Sequence, residues 1–162
     1  MTDRDIWVLP RDGDRKPFPF LNTKFAEFNA QFSHDGRWVA YESNESSQSE
    51  IYVRPFPVRA GQVQISTSGG FSPRWRPDGK ELYYVATDGM LMAVPITVSG
   101  ATLEPGKPVE LFRPHMVTTT VSSRQQYDVA ADGRFLINVT SDGVTASPIT
   151  VLQNWKPPVK QP

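Results

Sequence analysis

Acid–base or metal chemistry in this 162-residue chain would have to pass through two imidazoles, His34 and His115, because histidine occurs twice and cysteine not at all. His34 sits inside a turn sequence, "FSHDGR", where an exposed turn residue is the expected role. His115 lies in the polar stretch "RPHMVTTTVSSRQ", with no carboxylate close by in sequence. A serine–histidine–aspartate triad needs a base, an orienting partner and an oxyanion hole, and neither histidine comes with that set. A zinc site of two histidines and a carboxylate is no better supported. The missing cysteines exclude disulfides, thiolate nucleophiles and cysteine-rich zinc sites. "GFSPR" (70–74) fails the Gly-x-Ser-x-Gly elbow at its last position, and the kinase loops are absent. The Gly-Gly of "STSGGFS" (66–72) lacks the lysine and helix of a phosphate-binding loop and reads as a connection. The expectation is therefore a protein without catalytic residues, cofactor or metal.

Arg74 and Arg76 are the next candidates. They stand in "RWRPDGKELYYV" (74–85), where cations interleave with aromatics as they can on a nucleic-acid surface. Overall charge speaks against that reading. Lys+Arg and Asp+Glu are 17 each, leaving no net charge to neutralise phosphates or to hold a polybasic anchor to a membrane. No apolar run approaches the ~20 residues that span a bilayer. "MTDRDIWVLP" has neither the basic start nor the apolar core of a signal peptide. Taken as written, the chain is expected in the cytoplasm; as a piece of a larger anchored protein it would be extracytoplasmic.

The arginine-rich stretch is one copy of a repeating unit. Aligned on Asp-Gly, "FSHDGRWVAY" (32–41), "WRPDGKELYY" (75–84) and "VAADGRFLIN" (129–138) share an apolar residue before the turn, a basic residue after the glycine and an apolar strand beyond. Val39, Leu82 and Leu136 fall in one column. Downstream come "EIYVRPF", "LMAVPI" and "ITVLQ", with an orphan copy "DIWVLP" near the start, and then "QVQIS" and "PVELF". Six of the ten aspartates precede glycine, as hairpin turns require. The unit is strand, turn, strand, connection, strand, connection, strand. Its spacing of ~40–45 residues is that of a propeller blade. The extra residues before the third copy, "SGATLEPGK" and "RPHMVTTTVSSRQ", read as loops. "WVAY", "LYYV" and "FLIN" are apolar at consecutive positions, so both faces of each sheet are expected to be covered.

These units resemble the TolB-type, WD-like β-propeller family, whose hallmark is an aromatic-Ser-Pro-Asp-Gly-basic turn leading into an apolar strand. "WRPDGKELYYV" matches it with Arg76 where serine is usual, and "FSHDGRWVAY" with His34 where proline is usual. "NESSQSEIYVRPFP", "DGMLMAVPI" and "PITVLQNW" also resemble the C-terminal propeller part of bacterial serine/threonine kinase-associated proteins. The resemblance implies a non-catalytic module that binds or scaffolds protein or peptide. Related propellers that gate serine hydrolases and peptidases supply the alternative, an accessory fragment of such an enzyme. A gene fragment without a role of its own is a third reading.

The expected fold is all-β, a partial propeller of about three four-stranded blades. A partial blade spans 5–20, blades span 28–66 and 72–112, and a second partial blade spans 126–153. The propeller region covers 1–155, followed by a disordered proline-rich tail at 156–162. First strands of blades line a central channel, and alternation places Asn29 and Gln31, Arg74 and Arg76, and Gln126 and Asp128 on its wall. These six are the candidate binding residues, with a solvated wall as the expected state. Three blades cannot close a ring. The outer strands at the start and the inner strands at the end therefore predict a homodimer in which each chain completes the other's blade.

Overall fold

A computed structural model of the chain describes residues 4–57, 61–114, 116 and 126–139. These residues form antiparallel strands and no helix. Strands β1 (Ile6–Val8) and β2 (Phe18–Leu21) make a first hairpin. Strands β3 (Glu27–Phe32), β4 (Trp38–Ser43), β5 (Glu50–Pro55) and β6 (Val63–Gln64) follow one another across a four-stranded sheet. The next sheet runs β7 (Phe71–Trp75), β8 (Glu81–Val85) and β9 (Leu91–Ser99). Strand β9 is long enough to take two partners along its outer edge. Its first part pairs with β11 (Val109–Phe112) and its second with β10 (Thr102–Pro105). A last hairpin joins β12 (Tyr127–Val129) and β13 (Phe135–Ile137). The fold is all-β, a partial propeller with two complete blades between two half blades.

The blades stack because their strands are apolar on both faces. Trp38 and Ala40 point from β4 toward the next blade, where Trp75, Leu82, Tyr84, Val94 and Ile96 meet them in the largest core cluster. Val39 and Tyr41, the alternate residues of β4, point the other way and pack with Phe20 and Leu21 of the first hairpin. The far face of the second blade repeats the arrangement: Tyr83, Leu91 and Ala93 are covered by Tyr127, Phe135 and Ile137. Each fully buried Leu, Ile or Val contributes roughly 1.5–3 kcal/mol, so these three layers dominate the stability of the arc.

The Asp-Gly turns do what their sequence predicts. Asp35, Asp78, Asp88 and Asp132 each accept the backbone N–H two residues on, at 3.1, 3.0, 3.0 and 3.2 Å. The glycine between takes the left-handed conformation, as at Gly79 with φ of +72°. The connection "STSGG" is held by a buried acid. The Glu50 carboxylate accepts the Gly69 N–H at 2.8 Å and the Ser66 hydroxyl, while Gly70 N–H reaches Ser49 O at 2.9 Å. The chain thereby crosses to the next blade against Ile51 with no room for a side chain.

Two expectations need correction. "SGATLEPGK" is not a loop: β9 continues to Ser99, turns at Gly100–Ala101 and returns as β10, burying Leu103 in the inter-blade core. This arm reaches back to the preceding blade, where Arg37 donates to Gly100 O. The second correction concerns the third unit. In the first two, the residues closing the turn are Ser33 with Trp38 and Arg76 with Glu81; in the third they are Ala130 with Arg134. The hairpin is one residue tighter, so Phe135, not Leu136, occupies the place of Val39 and Leu82. Phe135 and Ile137 turn inward, and Leu136 is left 77% exposed, so the outer face of this strand is uncovered. His115, Asp142, "ITVLQ" and the tail at 156–162 lie outside the described residues.

A Cβ on Gly70 would stand 2.6 Å from Ser66 Oγ and 2.9 Å from Ile51 Cγ1, whereas one on Gly79 would meet open space. Gly70→Ala is expected to cost toward the upper end of ~1–3 kcal/mol through overpacking. Gly79→Ala should cost about 1 kcal/mol through backbone strain alone. Denaturant titration of both variants checks the order; equal losses would show that the connection can shift off Ile51.

Candidate binding site at the inner strands

Both innermost strands of the complete blades carry a bulge at the same place in the unit. Asn29 and Ser72 each sit at φ of +53°, and the ladder shifts between Phe28 and Gln31 and between Phe71 and Arg74. A bulge re-aims the backbone beside it. Here it turns the Ser72 N–H onto Glu42 of the neighbouring blade, at 2.6 Å. The same carboxylate accepts the Asn29 amide at 2.6 Å and, through its other oxygen, the Ser49 hydroxyl at 3.4 Å. Glu42 is fully buried, and that burial raises its pKa above the ordinary value despite these donors and the nearby Arg74 cation.

Arg74 is buried as well, at 4% exposure, and is no part of a solvated wall. Its Nη1 donates to the adjacent Pro73 carbonyl at 2.5 Å, and its guanidinium lies 5.7 Å from the centre of the Tyr127 ring. Among the described residues Nη2 has no hydrogen-bond partner. Burial lowers the Arg74 pKa, with the charges of Asp128 and Glu42 acting against that shift. Tyr127 anchors the last hairpin to this point, its hydroxyl donating to Ser72 O at 2.8 Å. Burial pushes that phenol well above the ordinary tyrosine range. The result is a chain of contacts from Asn29 through Glu42 and Ser72 to Tyr127 and Arg74, stitching three successive units together near their inner strands.

The six residues expected on one channel wall have separate surroundings. Asn29 and Arg74 belong to the cluster, and Asp128, exposed, acts on Arg74 through its charge. Arg76 lies beyond the end of β7 and pairs with Glu81 at 3.1 Å and Asp78 at 3.5 Å, bracing its own turn. Gln31 and Gln126 take part through their backbone carbonyls, which accept Trp75 Nε1 at 3.2 Å and Asn138 N–H at 2.8 Å. The reason is geometric. Alternate side chains of an inner strand look toward the two neighbouring blades, so Trp75 meets the blade before it and Arg74 the hairpin after it. Sequence reasoning missed Glu42 and Tyr127. The signal for Glu42 was present: a lone carboxylate ending the continuous apolar run "WVAYE". Among the described residues no group of acids and imidazoles could hold a metal, and His34 is exposed in its turn. The cluster fastens blades to one another, with the Arg74 cation buried inside it.

No protein-family model matches the chain. Among solved structures it is similar to TolB from Agrobacterium tumefaciens, at 17% identity and a TM-score of 0.55 over 83% of this chain and 49% of that one. TolB from Acinetobacter baumannii matches at 16% identity and a TM-score of 0.48, over 85% of this chain and 43% of that one. The chain spans about half the length of either protein. The first likeness shows the fold, a TolB-type β-propeller.

The raised pKa of Glu42 has a consequence for stability. An acid that is harder to ionise when folded contributes stability that is fully present below its ordinary value of 4.5 and is lost as pH rises through the folded value. Glu42→Gln does not titrate. Its unfolding free energy relative to wild type is therefore expected to rise between about pH 4 and about pH 8. Denaturant titrations at the two ends measure this, and a difference independent of pH would mean that Glu42 ionises in place without penalty.

Proposed function

We propose that the chain is a non-catalytic propeller segment that binds or scaffolds protein, and that its first partner is a second copy of itself. The observation that carries this reading is the apolar surface at both ends of the arc. Trp7 and Leu9 are exposed on the first hairpin side, and Leu136 and Val139 on the last, with Val109, Leu111 and Phe112 exposed on the blade between. Exposed large apolar side chains gathered at strand ends and edges are what a protein partner covers. The resemblance in sequence of "NESSQSEIYVRPFP" and "DGMLMAVPI" to propellers appended to bacterial kinases suits a parent protein in which the propeller recognises other proteins while a separate domain performs chemistry.

Size exclusion with light scattering is expected to give a dimer at micromolar concentration. A stable, well-folded monomer would overturn self-association. A panel of peptide, ester and phosphoester substrates is expected to show no turnover above buffer. Turnover that falls in His34→Ala would overturn the non-catalytic reading.

A further inference from the structure

We infer that β13 of one copy pairs edge to edge with β1 of a second, so that the two half blades fuse into one four-stranded blade. The inference rests on the self-association proposed above and specifies its geometry. Among the described residues β13 has β12 as its one strand partner, with a single bridge from Met116 to Val139 beyond its end. Among the same residues β1 has β2 alone. The hairpins are opposite halves of a blade. Strands β12 and β13 stand where β3 and β4 stand in a complete blade, because Phe135 pairs with Val129 as Val39 pairs with Phe32. Strands β1 and β2 stand where β5 and β6 stand: "DIWVLP" matches "EIYVRP", and Ile6 and Val8 pack toward the next blade as Ile51 and Val53 do.

The complete blades then fix the register. Val39, Ala40 and Tyr41 face Arg54, Val53 and Tyr52 across β4 and β5. Carried over position by position, Phe135 faces Leu9 of the second copy, Leu136 faces Val8 and Ile137 faces Trp7. Sidedness gives an independent check, because a slip of one residue would send every side chain to the wrong face. In this register Trp7 and Leu9 of the second copy fall on the same side as Phe135 and Ile137. That side looks at the outer part of the preceding blade, where Val109 and Phe112 are exposed and Phe112 already touches the Phe135 ring at a centroid distance of 5.7 Å. Leu136 falls on the other side with Ile6 and Val8, facing the layer of Val39, Tyr41 and Tyr52 in the second copy. Its counterparts in the complete blades, Ala40 and Tyr83, are buried in such layers. One register thus covers Trp7, Leu9, Val109, Phe112 and Leu136 together.

A second copy is the occupant because the described residues contain both halves of the missing blade; β1 takes the third place that the repeat also offers to "ITVLQ", which lies outside those residues. Two copies related by a two-fold axis form two identical fused blades. With two complete blades from each chain, they close a ring of six.

The chain has no cysteine, so single cysteines report on proximity without background. Val8→Cys and Leu136→Cys are purified separately, mixed and oxidised. A covalent dimer is expected in the mixture and not in either variant alone, and much less of it when Ile6→Cys replaces Val8→Cys. A dimer by light scattering that fails to cross-link in the mixture overturns the pairing and leaves self-association standing. A monomer overturns both and assigns the open edges to other strands of a longer polypeptide. Leu136→Asp is the second arm. Leu136 touches little within its own chain, so the variant is expected to keep the wild-type strand signal while the dimer weakens on the order of tenfold or more. An unchanged dimer in Leu136→Asp would overturn the fused blade.

Discussion

A β-sheet that is apolar on both faces is stable only between two others, and this requirement organises the chain. Strand β4 is buried along its whole length, with Trp38 and Ala40 in one layer and Val39 and Tyr41 in another. Neither layer exists without a neighbouring unit. Stability therefore belongs to interfaces between units more than to any unit alone, as in other stacked repeats. The same requirement makes the ends costly. Among the described residues a face such as that of Leu136 has no layer to join, and burying a leucine of that kind is worth roughly 1.5–3 kcal/mol.

Stacking brings polar backbone into the interior, and buried acids answer it. Where the chain crosses between blades, Glu50 takes the Gly69 N–H and the Ser66 hydroxyl. Where bulges free a backbone N–H, Glu42 takes that of Ser72. Glu27, also buried, takes the Thr23 hydroxyl at the entry to the first complete blade. Glu27, Ser43 and Glu50 lie side by side across the end of one sheet, with Glu42 adjacent. An unsatisfied buried N–H would cost about 1–3 kcal/mol, which is what the Glu42 and Glu50 carboxylates avert.

Much of the fold was legible in the sequence because its period is written in turn chemistry. Aspartate accepts a neighbouring N–H and glycine takes positive φ, so "PDG" and "HDG" mark hairpins wherever they stand. The continuous apolar strands announced two-sided burial. Three features were not legible for physical reasons. The β9–β10 arm carries Gly100, Pro105 and Gly106, which read as loop residues, although its two-residue turn and buried Leu103 make it a hairpin. The third turn closes one residue earlier, which an alignment on Asp-Gly cannot register, so Leu136 was placed where Phe135 belongs. Arg74 reads as a channel residue by alternation, but inner-strand side chains face neighbouring blades, and it lies under Tyr127.

That last point separates what holds the arc together from what it can present. The polar cluster at the inner strands spends its hydrogen bonds on joining units: Asn29 to Glu42, Glu42 to Ser72, Tyr127 to Ser72. Exposed large apolar side chains include Trp7 and Leu9 at one end, Leu136 and Val139 at the other, and Val109, Leu111 and Phe112 on the outer strand β11. Among the described residues, β1 and β13 each leave one backbone edge without a strand partner beside them, and an edge beside an apolar face is the arrangement that accepts another strand most readily. The one-residue shift in the third hairpin decides which side chains that edge offers. It sends Phe135 and Ile137 inward to hold the hairpin and leaves Leu136 outward for whatever completes the blade. The proposed recognition would follow from the same rule as folding, in which each blade packs against the next.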